Sequence, residues 1–254
     1  GQLRLWRLEE TTASELALPS SKFGSVVHRV AFSPDGRFLA VAGADGDSIE
    51  ASSVLRMWRL ATDDPAAADK LAAAEEPLEV AAHDMAFRND GSQMVTASGD
   101  GMLRLGDFPA DQPPVARELG IFAEGLDHLE FSNDGNWLLS VSGYKDGRQI
   151  RVWWLGSERV FSPATIPSSA IALRAQFSPD SQHLIVSDYD HDVQVWDLQL
   201  QRSNWTEPRI LRGHDGVIEE FVVDPAGRWI ATASRDQSMR AWSLDGGQER
   251  RSWF

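Results

Sequence analysis

A chain of 254 residues with 42% hydrophobic content can bury a sizeable core, and none of its apolar runs approaches the ~18 residues of a membrane span. Twenty-four Lys and Arg against 38 Asp and Glu leave a net charge of −14, which repels nucleic-acid backbones and anionic lipid. The absence of cysteine removes disulfides, thiol nucleophiles and thiolate metal sites together, and suits a reducing, cytoplasmic setting.

Gly1 to Leu8, GQLRLWRL, reads as an extended strand, and Ser14 to Pro19 as its antiparallel neighbour. A fuller unit begins at residue 23. Val27, Val30 and Phe32 form one apolar run and Phe38 to Ala42 the next, divided by Ser33-Pro34-Asp35-Gly36. Such turn chemistry ends one strand and starts an antiparallel partner. The following turn is stretched (GADGDSIEASS), so a loop is expected to project before the strand ending at Trp58. Residues 61–77, ATDDPAAADKLAAAEEP, read as a solvated acidic loop, with a docking segment for a partner as the sharper alternative.

Residues 80–123 repeat the unit, with Met94 to Ser98 and Met102 to Leu105 as inner strands. Residues 124–169 do so with Trp137 to Ser142 and Gln149 to Leu155, and residues 170–213 follow. The last unit, 214–254, is the clearest. Val217, Phe221 and Val223 lie in its first run, Trp229 to Ser234 form the second, Ser238 to Leu244 the third, and Glu249 to Phe254 the fourth.

Two landmarks keep one period. The hairpin signature recurs at Ser33, Arg88, Ser132, Ser178 and Asp224, with spacings of 55, 44, 46 and 46 residues. A second landmark recurs at Trp6, Trp58, Gly106, Trp153, Trp196 and Trp242, with spacings of 52, 48, 47, 43 and 46. A four-stranded unit of about 40–45 residues is what one propeller blade needs.

Val193-Gln194-Val195-Trp196-Asp197-Leu198 and the entry turn Gly213-His214 resemble the WD-repeat β-propeller family, and the repeated turns extend the resemblance over nearly the whole chain. Individual copies depart from it: Arg7, Arg59, Trp154 and Ser243 stand where the Asp of the Trp-Asp pair belongs. The expected fold is an all-β propeller of four-stranded antiparallel blades. A partial blade (1–22) precedes five complete ones (23–79, 80–123, 124–169, 170–213 and 214–254) in one domain. Because the chain opens inside a blade and without an initiator Met, it is expected to belong to a larger propeller. The SPDG-type turns and the Ala-, Arg- and Asp-rich wording look like the family's bacterial members.

The resemblance implies a buried network of entry-turn His, second-strand hydroxyl, tight-turn Asp and third-strand Trp, matched here by His214, Thr232, Asp236 and Trp242. In 80–123 only Thr96 and Asp100 remain, with Leu78 and Gly106 at the His and Trp positions, and in 170–213 only Asp190 and Trp196. The last blade is therefore expected to be the stiffest and 80–123 the loosest. A Thr–His–Asp set also raises a hydrolase, but nothing in the sequence marks an oxyanion site. Asp188-Tyr189-Asp190-His191-Asp192 has alternating carboxylates suited to Ca²⁺, yet Val193 and Gln199 replace the Gly and Glu that a calcium loop needs. Asp45-Gly46-Asp47-Ser48 with Glu50 is a similar case. The bland reading of both is a turn, and neither a metal nor a cofactor is expected.

Function is then expected from surfaces. In the family, partners meet the face formed by the start of each first strand and by residues beside the tight-turn acids. Those positions are Val26, His28, Ala81, His83, Gly125, Asp127, Ile171, Leu173, Val217 and Glu219, with Gly99, Tyr189 and Arg235 beside the acids. The mixture of small apolar, His and acidic residues suits a protein or peptide ligand, and Trp205 is a separate candidate anchor. The leading expectation is a non-catalytic interaction propeller, acting as a sensor, regulatory or recruitment module of a larger bacterial signalling protein. A passive scaffold is the alternative. An enzyme with a channel site would have to use His28, His83, Asp127 and Glu219.

Overall fold

The computed structural model describes residues 4–8, 13–16, 26–44, 53–60, 78–82, 84–108, 117–121, 126–143, 149–156, 164–166, 172–199, 207–244, 246 and 249–253. Residues 61–77, the Asp45–Glu50 carboxylates, Trp205, His83, Gly125 and Ile171 lie outside that set. Every regular element described is a strand, and none of the described residues lies in a helix that crosses a membrane.

Contacts divide the chain into two compact units, Gly1–Ile121 and Phe122–Phe254. The first holds a hairpin, β1 (Leu5–Leu8) with β2 (Ala13–Leu16), and two four-stranded sheets. These are β3 (Val27–Phe32), β4 (Phe38–Ala44), β5 (Ser53–Arg59) and β6 (Leu78–Val80), then β7 (Asp84–Phe87), β8 (Gln93–Ala97), β9 (Met102–Asp107) and β10 (Arg117–Ile121). The second unit holds three more sheets. One is β11 (Leu126–Phe131), β12 (Trp137–Ser142), β13 (Gln149–Trp154) and β14 (Ala164–Thr165); the next is β15 (Ala172–Phe177), β16 (His183–Asp188), β17 (Val193–Asp197) and β18 (Arg209–Leu211). The last is β19 (Ile218–Val223), β20 (Trp229–Ser234), β21 (Met239–Ser243) and β22 (Glu249–Trp253). Each sheet is an antiparallel meander in chain order, the blade architecture of a β-propeller.

The repeated turn explains why the first hairpin of each blade forms. In Ser33, Ser132 and Ser178 the hydroxyl donates to the Asp two residues on, at 2.5–2.6 Å. The same oxygen accepts the N–H of Phe38, Trp137 and His183, at 2.9–3.0 Å, closing the turn from inside. The Asp in turn accepts a backbone N–H from Arg37, Asn136 or Gln182 at 3.0 Å. Hydrogen bonds from the Ser33 hydroxyl and then the Arg37 N–H pull Asp35 down to about 2. In the last blade Asp224 replaces the Ser and accepts the N–H groups of Arg228 and Trp229 itself. Gly36, Gly91, Gly135 and Gly227 take φ of 67–70° at the turn's end, where a side chain is strained. Ser181 adopts φ 59° at that position, at a cost of about 1–2 kcal/mol. Its hydroxyl accepts the N–H of Asp134 in the neighbouring sheet at 3.0 Å, and Asn133 Nδ2 donates to the Pro179 carbonyl, so the strain is offset by a tie between blades.

Sheets stack through their Trp landmarks. Trp196 packs with Trp137, Leu139, Val141 and Val152 of the preceding sheet, and Trp242 with Ile185, Val193 and Val195. In the first unit Trp58 shares a cluster with Leu5 of the hairpin. The second strands β4, β12 and β16 are buried along nearly their whole length and carry the unbroken apolar runs Phe38–Ala42, Trp137–Leu139 and Leu184–Val186. In β20 burial alternates instead, with Ile230 and Thr232 inside while Trp229 is 39% exposed. Val222, Met239 and Trp253 are exposed on the same sheet.

Four of the five first strands carry a β-bulge near their start. Register shifts fall between Val27 and Arg29, Leu126 and His128, Ala172 and Arg174, and Ile218 and Glu220. The extra residues are His28, Asp127, Leu173 and Glu219. A bulge re-aims side chains and twists the edge strand, which changes what each first strand presents.

Ser132 is fully buried, and its hydroxyl both donates and accepts. Ser132→Ala leaves the Trp137 N–H and an Asp134 lone pair without it, and is expected to cost about 1–3 kcal/mol in denaturant unfolding of the whole chain. An unchanged midpoint would show that the hydroxyl does not hold the turn.

Candidate functional site

Two places gather chemistry: the core of the last blade and a cavity in the second unit. In the first, Gly213 and the loop before β19 bring His214 beneath β20 and the turn that follows it. His214 Nδ1–H donates to Asp236 at 2.7 Å, Thr232 O–H donates to His214 Nε2 at 2.7 Å, and Trp242 Nε1–H donates to Thr232 Oγ1 at 3.0 Å. That tautomer gives each polar atom of the relay a partner. Asp236 also accepts from the Ser238 hydroxyl at 2.7 Å and from the backbone N–H groups of Ser238 and Asp215. Burial works to raise the Asp236 pKa, but the hydrogen bonds from Ser238, His214 and the backbone outweigh it and hold the carboxyl far below the usual range. Gly216 lets the entry loop sit against this turn, since a Cβ there would fall 2.7 Å from the backbone nitrogen of Asp236.

The His214 side chain is wholly buried and Thr232 is 2% exposed, so the hydroxyl of this Thr–His–Asp set faces an indole and not a substrate. The arrangement works as a brace between strands.

Other blades reach the same end differently. In β15–β18 the sequence pointed to Asp190 as the acid serving Trp196, and the structure corrects this. Trp196 Nε1–H donates to Gln194 Oε1 at 3.2 Å, and Gln194 Nε2–H donates to Asp188 Oδ2 at 2.7 Å. Asp188, 2% exposed, also accepts the N–H of Asp190 at 3.0 Å. The long Gln side chain spans the gap that His and Thr fill together in the last blade. Asp188 Oδ atoms are thus occupied by protein donors, and among the described residues no cluster of His, Asp and Glu has metal-holding geometry. Burial first of all pushes the Asp188 pKa up. Its share of stability is therefore full below the ordinary carboxyl range and lost as pH rises through the raised value, opposite in sign to Asp236. In β7–β10, where Gly106 replaces Trp, Arg104 takes over: its guanidinium donates to Asp100 at 2.6 Å and to the Ser98 hydroxyl at 2.9 Å.

The cavity measures about 610 Å³ and is formed by β11, β15 and β19 with the turns after β16 and β20. Five of the residues expected on the partner face, Leu173, Tyr189, Val217, Glu219 and Arg235, line it together. Val26, His28 and Ala81 are exposed in the other unit, and Asp127 occupies the bulge of β11. Sequence reasoning missed the next level inward. His128, Arg174 and Glu220 sit one residue past the bulges, at one rung, opposite Val141, Ser187 and Ala233. Arg29 and Asp84 hold that rung in the first unit, opposite Ala42 and Ala97, and approach each other at 3.7 Å. All five described first strands thus carry an ionisable side chain there. The signal was in the sequence, but only a bulge count reveals the rung.

Charges in the cavity are largely paired. Arg174 meets Glu220 across adjacent blades at 2.9 Å, and Arg235 bonds to Glu219. Two residues further along β11, Glu130 accepts from His128 Nε2–H at 3.1 Å.

A family model described as "WD domain, G-beta repeat" matches residues 18–47, 164–197 and 205–243. Over those three segments the chain is similar to the WD-repeat family. Among relatives, nuclear distribution protein PAC1 of Yarrowia lipolytica is 34% identical over 130 residues, 50% of this chain and 26% of that protein. Transducin beta-like protein 3 of Bos taurus is 25% identical over 254 residues, covering 96% of this chain and 29% of that protein. Target of rapamycin complex subunit wat1 of Schizosaccharomyces pombe is 27% identical over 227 residues, 87% of the chain and 65% of wat1. The chain thus spans from about a quarter to just under two thirds of the length of these relatives. All three are eukaryotic, and the comparisons lend no support to the bacterial setting suggested by the turn wording.

Thr232→Val keeps the shape and removes the hydroxyl shared by His214 and Trp242, and is expected to destabilise the protein by about 1–3 kcal/mol. Because the Asp236 pKa is lowered on folding, its contribution is complete above pH ~4 and lost as pH falls toward the folded value. Asp236→Asn should therefore be less stable than the parent at pH 7 and converge on it in acid, as followed by unfolding midpoints from pH 7 to 2.5. Parallel curves would mean that the carboxylate carries none of the difference. Hydrogen exchange should also be slower in β20 and β21 than in β8 and β9.

Proposed function

We propose that this chain is a WD-repeat, non-catalytic recognition module that docks another protein through the cavity of its second unit. One observation carries the reading. Leu173 and Glu219 from two bulges, and Tyr189 and Arg235 from two turns, are far apart in sequence yet line one cavity with Val217. Tyr189 is 51% exposed there, an aromatic anchor with a polar tip beside half-exposed apolar and charged groups. The buried braces hold the turns bearing Tyr189 and Arg235, so the surface is rigid before a partner arrives and loses little entropy on binding.

The relatives favour the same class. Wat1 is by name a subunit of a complex, and a docking role in assembly is the corresponding reading for this chain. The net charge of −14 disfavours nucleic acid and anionic membrane as partners. Within a larger cytoplasmic signalling protein, such a module would recruit a partner or report its presence.

Affinity capture with the whole chain, compared with a Tyr189→Ala/Arg235→Ala double variant, tests this. Partners retained by the parent should fall about tenfold or more with the variant, as loss of interface anchors does. Equal retention of every partner by both proteins would overturn the assignment of this face. Hydrogen exchange with and without the captured partner then separates a module that switches, with protection changing beyond the cavity, from a passive scaffold.

A further inference from the structure

The cavity has an order along its strands that indicates what kind of side chain it takes. At the level of the bulges and turns stand Leu173, Tyr189, Val217, Glu219 and Arg235. The next rung holds His128, Arg174 and Glu220, and two residues further on β11 lies Glu130. Exposure falls in the same direction: the side chains of Arg235, Glu220 and Glu130 are 69%, 51% and 28% exposed. Both guanidinium groups are already matched to carboxylates, Arg235 to Glu219 and Arg174 to Glu220. Glu130 has an imidazole for its partner, not a guanidinium. Three carboxylates against two guanidinium groups leave one negative charge uncompensated, and Glu130 is where it resides. A charge at the less solvated level of a cavity attracts an opposite charge more strongly than one at the rim.

We propose that Glu130 is a cation subsite, and that the docked partner is a peptide segment inserting a Lys or Arg side chain toward it. This rests on the reading of the cavity as the docking site. The stem of such a side chain is aliphatic and would run past Leu173, Val217 and the Tyr189 ring, while its charged end reaches the carboxylate. Arg174 and Arg235 disfavour a second cation at the entrance, so the site selects one basic residue and not a polybasic run. An acidic side chain is rejected by Glu130 and gains little from guanidinium groups held by Glu219 and Glu220.

The test is an NMR titration of the whole chain with capped nonapeptides of Gly and Ser whose central residue is Arg, Lys, Leu or Glu. The Arg and Lys peptides are expected to bind at least about tenfold more tightly than the Glu peptide, with shifts at Leu173, Tyr189 and Val217. Glu130→Gln should remove that preference, and Glu130→Lys should invert it toward the Glu peptide. Glu207→Gln, at an exposed residue before β18 that does not line the cavity, should leave it intact. If the Arg and Lys peptides bind no better than the others, or if Glu130→Gln leaves the preference unchanged, the cation subsite is refuted. In that case, loss of captured partners in the Tyr189→Ala/Arg235→Ala variant would still uphold the docking face. If that variant also retains every partner, both readings fall.

Discussion

In the last two blades a buried indole N–H finds an acceptor, and the interface of each with the preceding sheet is built around that bond, whereas the buried Trp153 Nε1–H of β13 meets none among the described residues. Trp196 and Trp242 are nearly inaccessible where they pack on the preceding sheet, which makes them strong apolar anchors with one polar atom to satisfy. The last blade meets the demand through Thr232 and His214, and its predecessor through Gln194. Both relays end on a carboxylate, the partly buried Asp236 or the buried Asp188, that also accepts backbone N–H groups of the turn between second and third strands. One interaction thus links packing between sheets to the shape of the turn. Where the indole is missing, at Gly106, the relay starts from Arg104 instead and still ends on a turn carboxylate, Asp100.

The turns fixed in this way carry the residues that face the cavity. Tyr189 lies one position past Asp188, and Arg235 one position before Asp236, so their backbones are set by the braces and their side chains are left to point outward. The bulges at the start of the first strands add Leu173 and Glu219 at the same level. Rigidity in the core and variety at the surface are therefore separate tasks performed by adjacent residues. A substitution at Tyr189 or Arg235 can alter recognition without entering the core, whereas one at Asp236 or Thr232 acts on stability.

Charge in the cavity follows the same division between neighbours. Arg174 and Glu220 come from first strands of successive blades and meet only because the bulges bring them to one rung. The pair is half exposed, so its worth in stability is small, and its effect is to set which charges remain free to meet a partner. On the last sheet Val222, Trp229, Met239 and Trp253 are exposed apolar side chains, different in kind from the charged groups that line the cavity.

By itself, the sequence determined the architecture, because strand, turn and Trp positions depend on local chemistry that repeats about every 46 residues. Ser33-Pro34-Asp35-Gly36 closes a hairpin through bonds within six residues, and the apolar run Leu184-Ile185-Val186 of β16 is continuous because both its faces are covered. His214, Thr232, Asp236 and Trp242 were legible for the same reason, since each holds a fixed place in the repeat. Only the tertiary structure decided that Gln194 and Asp188 replace that set in the preceding blade, because the substitution works by reach across a gap and not by residue type. It also decided that His128, Arg174 and Glu220 share a rung and that Glu130 lies beyond it. One extra residue in a strand moves every later side chain to the other face, and no local pattern announces the shift.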